Sequence, residues 1–357
     1  MRNCKLFLTV AIVYFGAINV NADYKPEKFL FLRYGESDSE LFITPPVYDA
    51  QSPQDSVILS PAIGPDLAVV DMQDNVIFGS TADATIQGFD KNGKQILALF
   101  YAAILDSSTD SVSAVDEFPD EPLSSIEPNK IGSPYQIPGL ANISIDTKSR
   151  LYIEAASDQN YIAIVNLDGI MTGRIYPPDF GLDINLQDMI MSSENVLSFL
   201  DNRLYDTYTY RKGKLYLGGL MGWLAHDNFY YSAEINKDKK TIDFSILGDP
   251  KTPAVADAFR MQSIPIPDNL DYCGVMGVSD DMRIFVTGNS LDEKLGQMIL
   301  VFNTKLEMIV QFRMKKEIRN KLQLSAPLPY FRPDGVIFEF RCEDDGMRII
   351  RWSDDGR

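Results

Sequence analysis

Apolar and polar positions form short blocks along the chain, and the order of these blocks repeats. The clearest copy begins with an apolar segment at Leu67–Val70 and continues, after polar turns, with Val76–Ser80 and Thr85–Phe89. A glycine-containing turn then leads to a fourth apolar segment near Gln95–Phe100. Short segments rich in β-branched and aromatic residues, separated by Asp, Asn and Gly turns, are typical of antiparallel strands. This block therefore predicts a four-stranded antiparallel sheet.

The same order of segments returns in five further copies. They cover residues 142–169, 188–218, 222–246, 274–302 and 327–352. Their strands are near-continuous apolar runs, which is the pattern of sheets covered on both faces. One such sheet buries too little apolar surface to be stable alone, whereas several sheets packed around an axis can bury it. The repeat predicts an all-β fold: a six-bladed β-propeller with four-stranded antiparallel blades.

The two ends of the chain complement each other in this pattern. The sixth copy has no room for a fourth strand before Arg357, whereas the strand-like segment "KFLFLRYG" at 28–35 precedes the first copy without a partner. We therefore predict that the N-terminal strand completes the last blade. The alternative is an independent edge strand, which would leave an apolar backbone edge of the kind that proteins usually avoid.

The first two copies resemble NHL-type repeats of six-bladed propellers. The resemblance is carried by "LAVVDMQDNVIFGS" with "IQGFDKNG", and by "ISIDTKSRLYIEA" with "IAIVNLDG". It covers about two blades in residues and the remaining blades in pattern only. The resemblance implies a propeller fold, but no single activity, because that family ranges from scaffolds and receptors to lyases and lactonases.

The first 22 residues have the features of an export signal. Arg2 and Lys5 precede the apolar stretch 6–17, and Val20 and Ala22 supply the small residues that a signal peptidase requires. The alternative is an uncleaved membrane anchor, for which the stretch is short. We therefore expect a signal peptide at 1–22 and one propeller domain at 23–357. The protein is expected in the periplasm or outside the cell, without stable membrane insertion after cleavage.

The net charge limits the classes of partner, and the cysteine content limits the possible disulfides. The formal net charge is −17, which disfavours nucleic acid and anionic lipid as partners. The chain after the signal retains Cys273 and Cys342. In an oxidising compartment these two residues form either one disulfide or two buried thiols, and the sequence leaves both alternatives open.

The predicted connections make the two faces of the propeller unequal. The turns between the first and second strand of each copy are short, and we call their side the short-turn face. The opposite side, the long-loop face, carries the crossings 36–64, 102–139, 247–270 and 313–325. Long loops in compact domains are usually functional or disordered, so the long-loop face is the predicted binding face. Its acidic insertion at 106–130 is either a lid or arm for a cation or basic partner, or a solvated loop.

Candidate chemistry is limited to oxygen ligands. His226 is the only histidine and lies in a predicted turn, where bonding to the backbone is expected, and no cluster has the spacing of zinc ligands. The candidate ligand site consists of polar side chains that follow the second strand of several copies, on the long-loop face. No catalytic residue is assigned. The site residues are Glu154, Asp158, Asp201, Arg203, Asn289, Arg341 and Asp344. Carboxylates with an amide oxygen suit Ca²⁺, although the fold requires no cofactor. The two arginines are either structural ion-pair partners or anchors for an anionic ligand.

Two functions follow from these features. The first is a non-catalytic exported propeller that binds a protein or another envelope component through its long-loop face. The alternative is a hydrolase or lyase assisted by a Ca²⁺-type metal at the mouth of the central tunnel.

Overall fold

The computed structural model describes the chain from Tyr24 to Asp354 with internal gaps. The described residues are 24–37, 39–48, 58–100, 140–154, 162–175, 190–191, 197–200, 207–211, 214–217, 222–249, 252–267, 270–290, 296–315 and 320–354. Their regular secondary structure is entirely β, so this part of the chain holds no helix capable of crossing a membrane.

The described strands form six four-stranded antiparallel sheets and one small hairpin. Sheet 1 contains β4 (Leu67–Val70), β5 (Val76–Ser80), β6 (Thr85–Phe89) and β7 (Gln95–Phe100), and sheet 2 contains β8 (Asn142–Ile145), β9 (Leu151–Glu154), β10 (Ile162–Val165) and β11 (Met171–Ile175). Sheet 3 contains β12 (Ile190–Met191), β13 (Leu197–Leu200), β14 (Thr207–Arg211) and β15 (Lys214–Leu217), and sheet 4 contains β16 (Trp223–Leu224), β17 (Phe229–Asn236), β18 (Thr241–Gly248) and β19 (Phe259–Pro265). Sheet 5 contains β20 (Leu270–Val278), β21 (Ile284–Ser290), β22 (Met298–Phe302) and β23 (Met308–Arg313). Sheet 6 contains β24 (Tyr330–Phe331), β25 (Ile337–Cys342), β26 (Gly346–Ser353) and β1 (Lys25–Arg33), and the hairpin contains β2 (Val47–Tyr48) and β3 (Ile58–Ser60).

The all-β prediction with four-stranded antiparallel sheets is confirmed, and the four strands of sheet 1 begin and end at the predicted residues. Two predicted crossings nevertheless contain strands. The crossing 36–64 holds the β2–β3 hairpin, and the crossing 247–270 holds β19. Several residues of β19 point into solvent, so this strand lacks the buried apolar run that marks the other copies. The acidic insertion 106–130 lies outside the described residues.

The N-terminal strand completes sheet 6, as predicted. β1 pairs antiparallel with β26 from Lys25 opposite Ser353 to Arg33 opposite Gly346, with one register shift. Leu32 of this strand is almost fully buried between sheets 6 and 1. Tyr24, which precedes the strand, stacks on Phe312 and donates a hydrogen bond to the Gly335 carbonyl. The two ends of the chain therefore share one sheet.

Sheets 1, 5 and 6 bury both of their faces. In sheet 1, Val69 and Ile77 pack against sheet 2, while the neighbouring residues Val70 and Phe78 pack against sheet 6. Similar cores join sheet 4 to sheet 5 and sheet 5 to sheet 6. Because successive side chains of a strand point to opposite faces, a strand buried on both faces is apolar at nearly every position. Successive sheets thus pack face to face, as in a β-propeller.

The turns between strands follow one hydrogen-bonding rule. Each described turn between the first and second strand of a sheet contains the same hydrogen bond. The N–H of the fourth turn residue donates to the carbonyl of the first turn residue, and the fourth residue has a positive φ. The fourth residues are Asp74, Ser149, Asn228, Met282 and Gly335. This is the geometry of a three-residue hairpin loop with a left-handed residue. We call these five turns the inner turns.

The glycine in the inner turn of sheet 6 gives a testable prediction. Gly335 and Gly93 have nearly the same φ, +85° and +81°, but a Cβ on Gly335 would lie 2.9 Å from the Arg283 guanidinium, whereas one on Gly93 would meet only ordinary contacts. Both alanine variants carry the left-handed strain of about 1 kcal/mol. We expect Gly335→Ala to lower the free energy of unfolding by roughly 1–2 kcal/mol more than Gly93→Ala, because overpacking adds to that strain. Urea denaturation of both variants measures the difference. Equal losses of unfolding free energy would contradict the prediction, because they would show that the Arg283 side chain moves away from the added methyl group without cost.

Candidate functional site: the axial cavity

A cavity of about 250 Å³ lies where the first strands of five sheets converge. Its wall is built from β4, β8, β16, β20 and β24, and it continues into the inner turns of sheets 1, 2 and 6. The cavity therefore occupies the short-turn end of the central axis. Each of these strands lies at the edge of its sheet, so part of its backbone N–H and C=O groups points away from the sheet. The wall offers backbone hydrogen-bonding groups between apolar side chains.

Aromatic rings line one side of the cavity. Trp223 of sheet 4 meets Phe331 of sheet 6 edge-to-face, with 5.5 Å between the ring centroids, and Tyr330 lies beside Phe331 in the wall. Phe331 fits closely because Gly277 has no side chain: a Cβ there would lie 2.1 Å from the Phe331 ring. The indole nitrogen of Trp223 is buried and has no hydrogen-bond acceptor among the described residues. The wall thus contains a polar donor that the described residues leave unsatisfied.

Arg332 is the only basic residue in the described cavity wall, and its side chain is 4% exposed. Its guanidinium donates to both carboxylate oxygens of Asp334, at 3.0 and 2.8 Å, and to Asp74 at 2.6 Å. It also donates to the Asp71 carbonyl at 2.8 Å. Burial lowers the pKa of Arg332, but the hydrogen bonds and charges of Asp334 and Asp74 outweigh that effect, so the pKa lies above its ordinary value. The guanidinium is therefore a charged bridge between sheets 6 and 1.

Burial raises the pKa of the neighbouring Tyr330 phenol well above its ordinary value. The charge of Arg332 opposes this shift, whereas Asp71 and Asp334 add to it. Tyr330 consequently faces the cavity as a neutral hydrogen-bonding group over the accessible pH range.

The two carboxylates in the wall are held by their own turns. Asp71 Oδ1 accepts the N–H groups of Gln73 and Asn75, both at 2.8 Å. Asp146 accepts two N–H groups of its turn in the same way and forms an ion pair with Arg150 at 2.6 Å. Short Asp side chains that bond the backbone two residues onward stabilise tight turns. This explains the Asp at this position in the first two copies, and it fixes both carboxylates in orientation.

Bonds between neighbouring inner turns surround the mouth of the cavity. His226 Nε2 lies 2.8 Å from the Asp280 carboxylate, and the Asp280 N–H donates to the Pro333 carbonyl at 2.7 Å. Arg332 continues this chain of bonds to sheet 1, and the Ser149 hydroxyl of sheet 2 bonds to Gln73 of sheet 1. His226 therefore has a carboxylate partner in the next sheet, which the sequence did not indicate. The linked turns give the cavity a rigid rim.

The sequence-predicted site residues lie elsewhere. Asp158, Asp201 and Arg203 fall outside the described residues. Glu154 is buried at the end of β9, and Asn289 is exposed near the end of β21. Both positions are at the strand ends opposite the inner turns, and neither residue lines the cavity.

The other two predicted residues are engaged in local ion pairs. Arg341 pairs with Glu339 at 2.6 Å, and Asp344 pairs with Lys321, whose backbone and side-chain hydrogen bonds lower the pKa of Asp344. Within the described ranges, no group of three or more His, Cys, Asp or Glu residues is arranged to hold a metal. The carboxylate site on the long-loop face therefore stays a prediction.

Both cysteines of the described chain are buried thiols that form no disulfide. Cys273 belongs to the core between sheets 4 and 5, whereas Cys342 belongs to the core between sheets 6 and 1. Burial raises the pKa of Cys273 to about 12, so this thiol is neutral and unreactive in the folded protein. Of the two alternatives left by the sequence, the structure has the thiols.

Known proteins resemble this chain only distantly. No family model matches the sequence, and no curated protein matches it. Virginiamycin B lyase from Staphylococcus aureus is 12% identical, with a TM-score of 0.40, over 92% of this chain and 99% of its own. A member of the DUF4221 family from Bacteroides vulgatus is 10% identical, with a TM-score of 0.42, over 91% and 98%. Regucalcin, a calcium-binding protein from Agrobacterium tumefaciens, is 13% identical, with a TM-score of 0.42, over 84% and 93%. Sequence identities and TM-scores this low do not indicate an activity for this chain. The fold class is assigned from the sheet topology.

Proposed function

We propose that this chain is an exported, non-catalytic binding protein, a six-bladed propeller whose axial cavity takes a small ligand. One observation carries the proposal: a preformed cavity opens among fixed groups. Its wall is mostly apolar, and each of its charged side chains, Asp71, Asp146 and Arg332, is already held by several hydrogen bonds. A general base or nucleophile must be free to meet a substrate proton or carbon, whereas a binding site gains from groups that do not move.

The size and chemistry of the cavity suit a small molecule. Ligand pockets are typically about 300–1,000 Å³, mostly apolar, with a few placed polar groups, and this cavity of about 250 Å³ lies just below that range. The buried Trp223 N–H and the backbone groups of the edge strands supply donors and acceptors.

The proposed export is supported by the signal-like residues 1–22. A second proposal, which the sequence alone supports, is that the long-loop face binds a protein or an envelope component.

Filling the cavity tests the proposed function. The probe is 2-phenylethanol, a neutral molecule with an aromatic ring and one hydroxyl. We expect isothermal titration calorimetry to show saturable binding to the folded protein and its loss in Ala68→Phe, because Ala68 lies in the cavity wall on β4. Ala254→Phe, the same change at an exposed site away from the cavity, is expected to bind as the unmodified protein does. Absence of binding to the unmodified protein, or full binding by a folded Ala68→Phe variant, would overturn the proposal.

A further inference from the structure

One buried carboxylate beside the axial cavity has only neutral hydrogen-bond donors. Asp71 lies in the cavity wall and is 1% exposed. Its carboxylate accepts hydrogen bonds from the Gln73 and Asn75 N–H groups and from the Asn75 amide. Among the described residues it forms no ion pair.

The described arginines near the cavity pair with other carboxylates. Arg332 pairs with Asp74 and Asp334. Arg351 lies 3.8 Å from Asp74, and Arg150 pairs with Asp146. None of these pairs includes the Asp71 carboxylate. A low-dielectric cavity strengthens the negative potential of a carboxylate.

The rings of the wall favour the same sign of charge. Trp223, Tyr330 and Phe331 all line the cavity. The faces of aromatic rings carry negative potential and attract cations, with the indole of Trp the strongest. Edge-strand carbonyl oxygens add acceptors for an N–H donor. Aromatic rings and a carboxylate without an ion pair among the described residues therefore line the same cavity.

From this arrangement we infer that the ligand of the axial cavity is an organic cation: a small molecule with an aromatic or apolar body and a protonated amine. This inference rests on the proposed function and names the class of ligand. The apolar body packs against the wall, and the ammonium group lies in the negative potential that Asp71 and the aromatic rings create. An anion of the same size and shape would be repelled.

Three probes of the same body and different charge test the inference. They are 2-phenylethylamine, 2-phenylethanol and 3-phenylpropionate, titrated by calorimetry at pH 7, where the first is a cation, the second neutral and the third an anion. We expect the amine to bind about tenfold more tightly than the alcohol, and the propionate more weakly than the alcohol. Added salt should weaken amine binding and leave alcohol binding unchanged.

A matched pair of substitutions assigns the preference to Asp71. Asp71→Asn removes the charge but retains an oxygen that can accept the turn N–H groups, and it should reduce amine affinity to that of the alcohol. Asp90→Asn makes the same change in an equivalent turn outside the cavity wall, and it should leave all three affinities unchanged.

The outcomes separate the two proposals. Equal binding of amine and alcohol, or tighter binding of the propionate, would refute the cation preference and leave the cavity as a ligand site. Failure of all three probes to bind would refute the cavity function itself. If Asp71→Asn does not fold by circular dichroism, the charge series on the unmodified protein decides the inference alone.

Discussion

A chain that lacks β1 will not fold cooperatively. Removal of residues 24–33 exposes the hydrogen-bonding edge of β26 along its whole length and takes two large buried side chains, Tyr24 and Leu32, from the core. The loss of each such side chain costs about 2–5 kcal/mol, so the deletion should remove roughly 5 kcal/mol or more. That is a large part of the stability of an ordinary domain. Thermal melting by circular dichroism, with residues 23–357 as the reference chain, measures the effect.

Complementation makes this prediction specific. A synthetic peptide of residues 24–35 should restore a cooperative melt to the shortened chain, because it returns the missing edge strand. The same peptide with Leu32→Asp should not restore it, since a charge would enter the core between sheets 6 and 1. A shortened chain that melts like the unmodified protein would show that β1 does not contribute to the stability of sheet 6.

Arg332→Met should be the most damaging single ion-pair substitution among the described residues. It leaves the carboxylates of Asp74 and Asp334 without their buried partner, and breaking such a pair costs about 3–5 kcal/mol. The matched control is Arg348→Met, which breaks a two-bond pair with Glu343. The Arg348 side chain is 27% exposed, compared with 4% for Arg332, so its loss should cost at most about 1 kcal/mol.

Urea denaturation at a fixed salt concentration compares the two variants. Equal costs would mean that Asp74 and Asp334 are rehydrated when Arg332 is lost, and the proposed bridge between sheets 6 and 1 would not contribute to stability. A cost confined to Arg332→Met would confirm it. Arg332→Lys should be nearly as damaging, because an ammonium group cannot reproduce the planar set of bonds to two carboxylates.

The strands were readable from the sequence because their burial is local and periodic. Sheet 1 was predicted to the residue, since Val69, Val70, Ile77 and Phe78 are apolar on both faces. β19 was not predicted, because Phe259, Arg260 and Met261 are all exposed and the segment lacks the apolar pattern of a covered strand.

The cavity could not be read in the same way. Trp223, Met276 and Phe331 are far apart in the chain and meet only because three sheets converge on the axis. One signal was available: the first residue of the inner turn is Asp71 and Asp146 in the first two copies, but Arg332 in the sixth. A basic residue where the first two copies have Asp suggests a different set of partners. Arg332 pairs with Asp334 of its own turn and with Asp74 in the inner turn of sheet 1.

The pairing of β1 with β26 also sets the order of assembly. The hydrogen bond from Tyr24 to Gly335 joins residues 311 positions apart, so it closes nearly the longest loop that the described chain allows. Contacts of such sequence separation form late, because the entropy of loop closure is lost before they can stabilise the fold. The first strand to be synthesised must therefore wait for the last. During that interval an unpaired β26 edge is open to pairing with another molecule, and domain-swapped dimers joined through β1 are the expected by-product of refolding at high concentration.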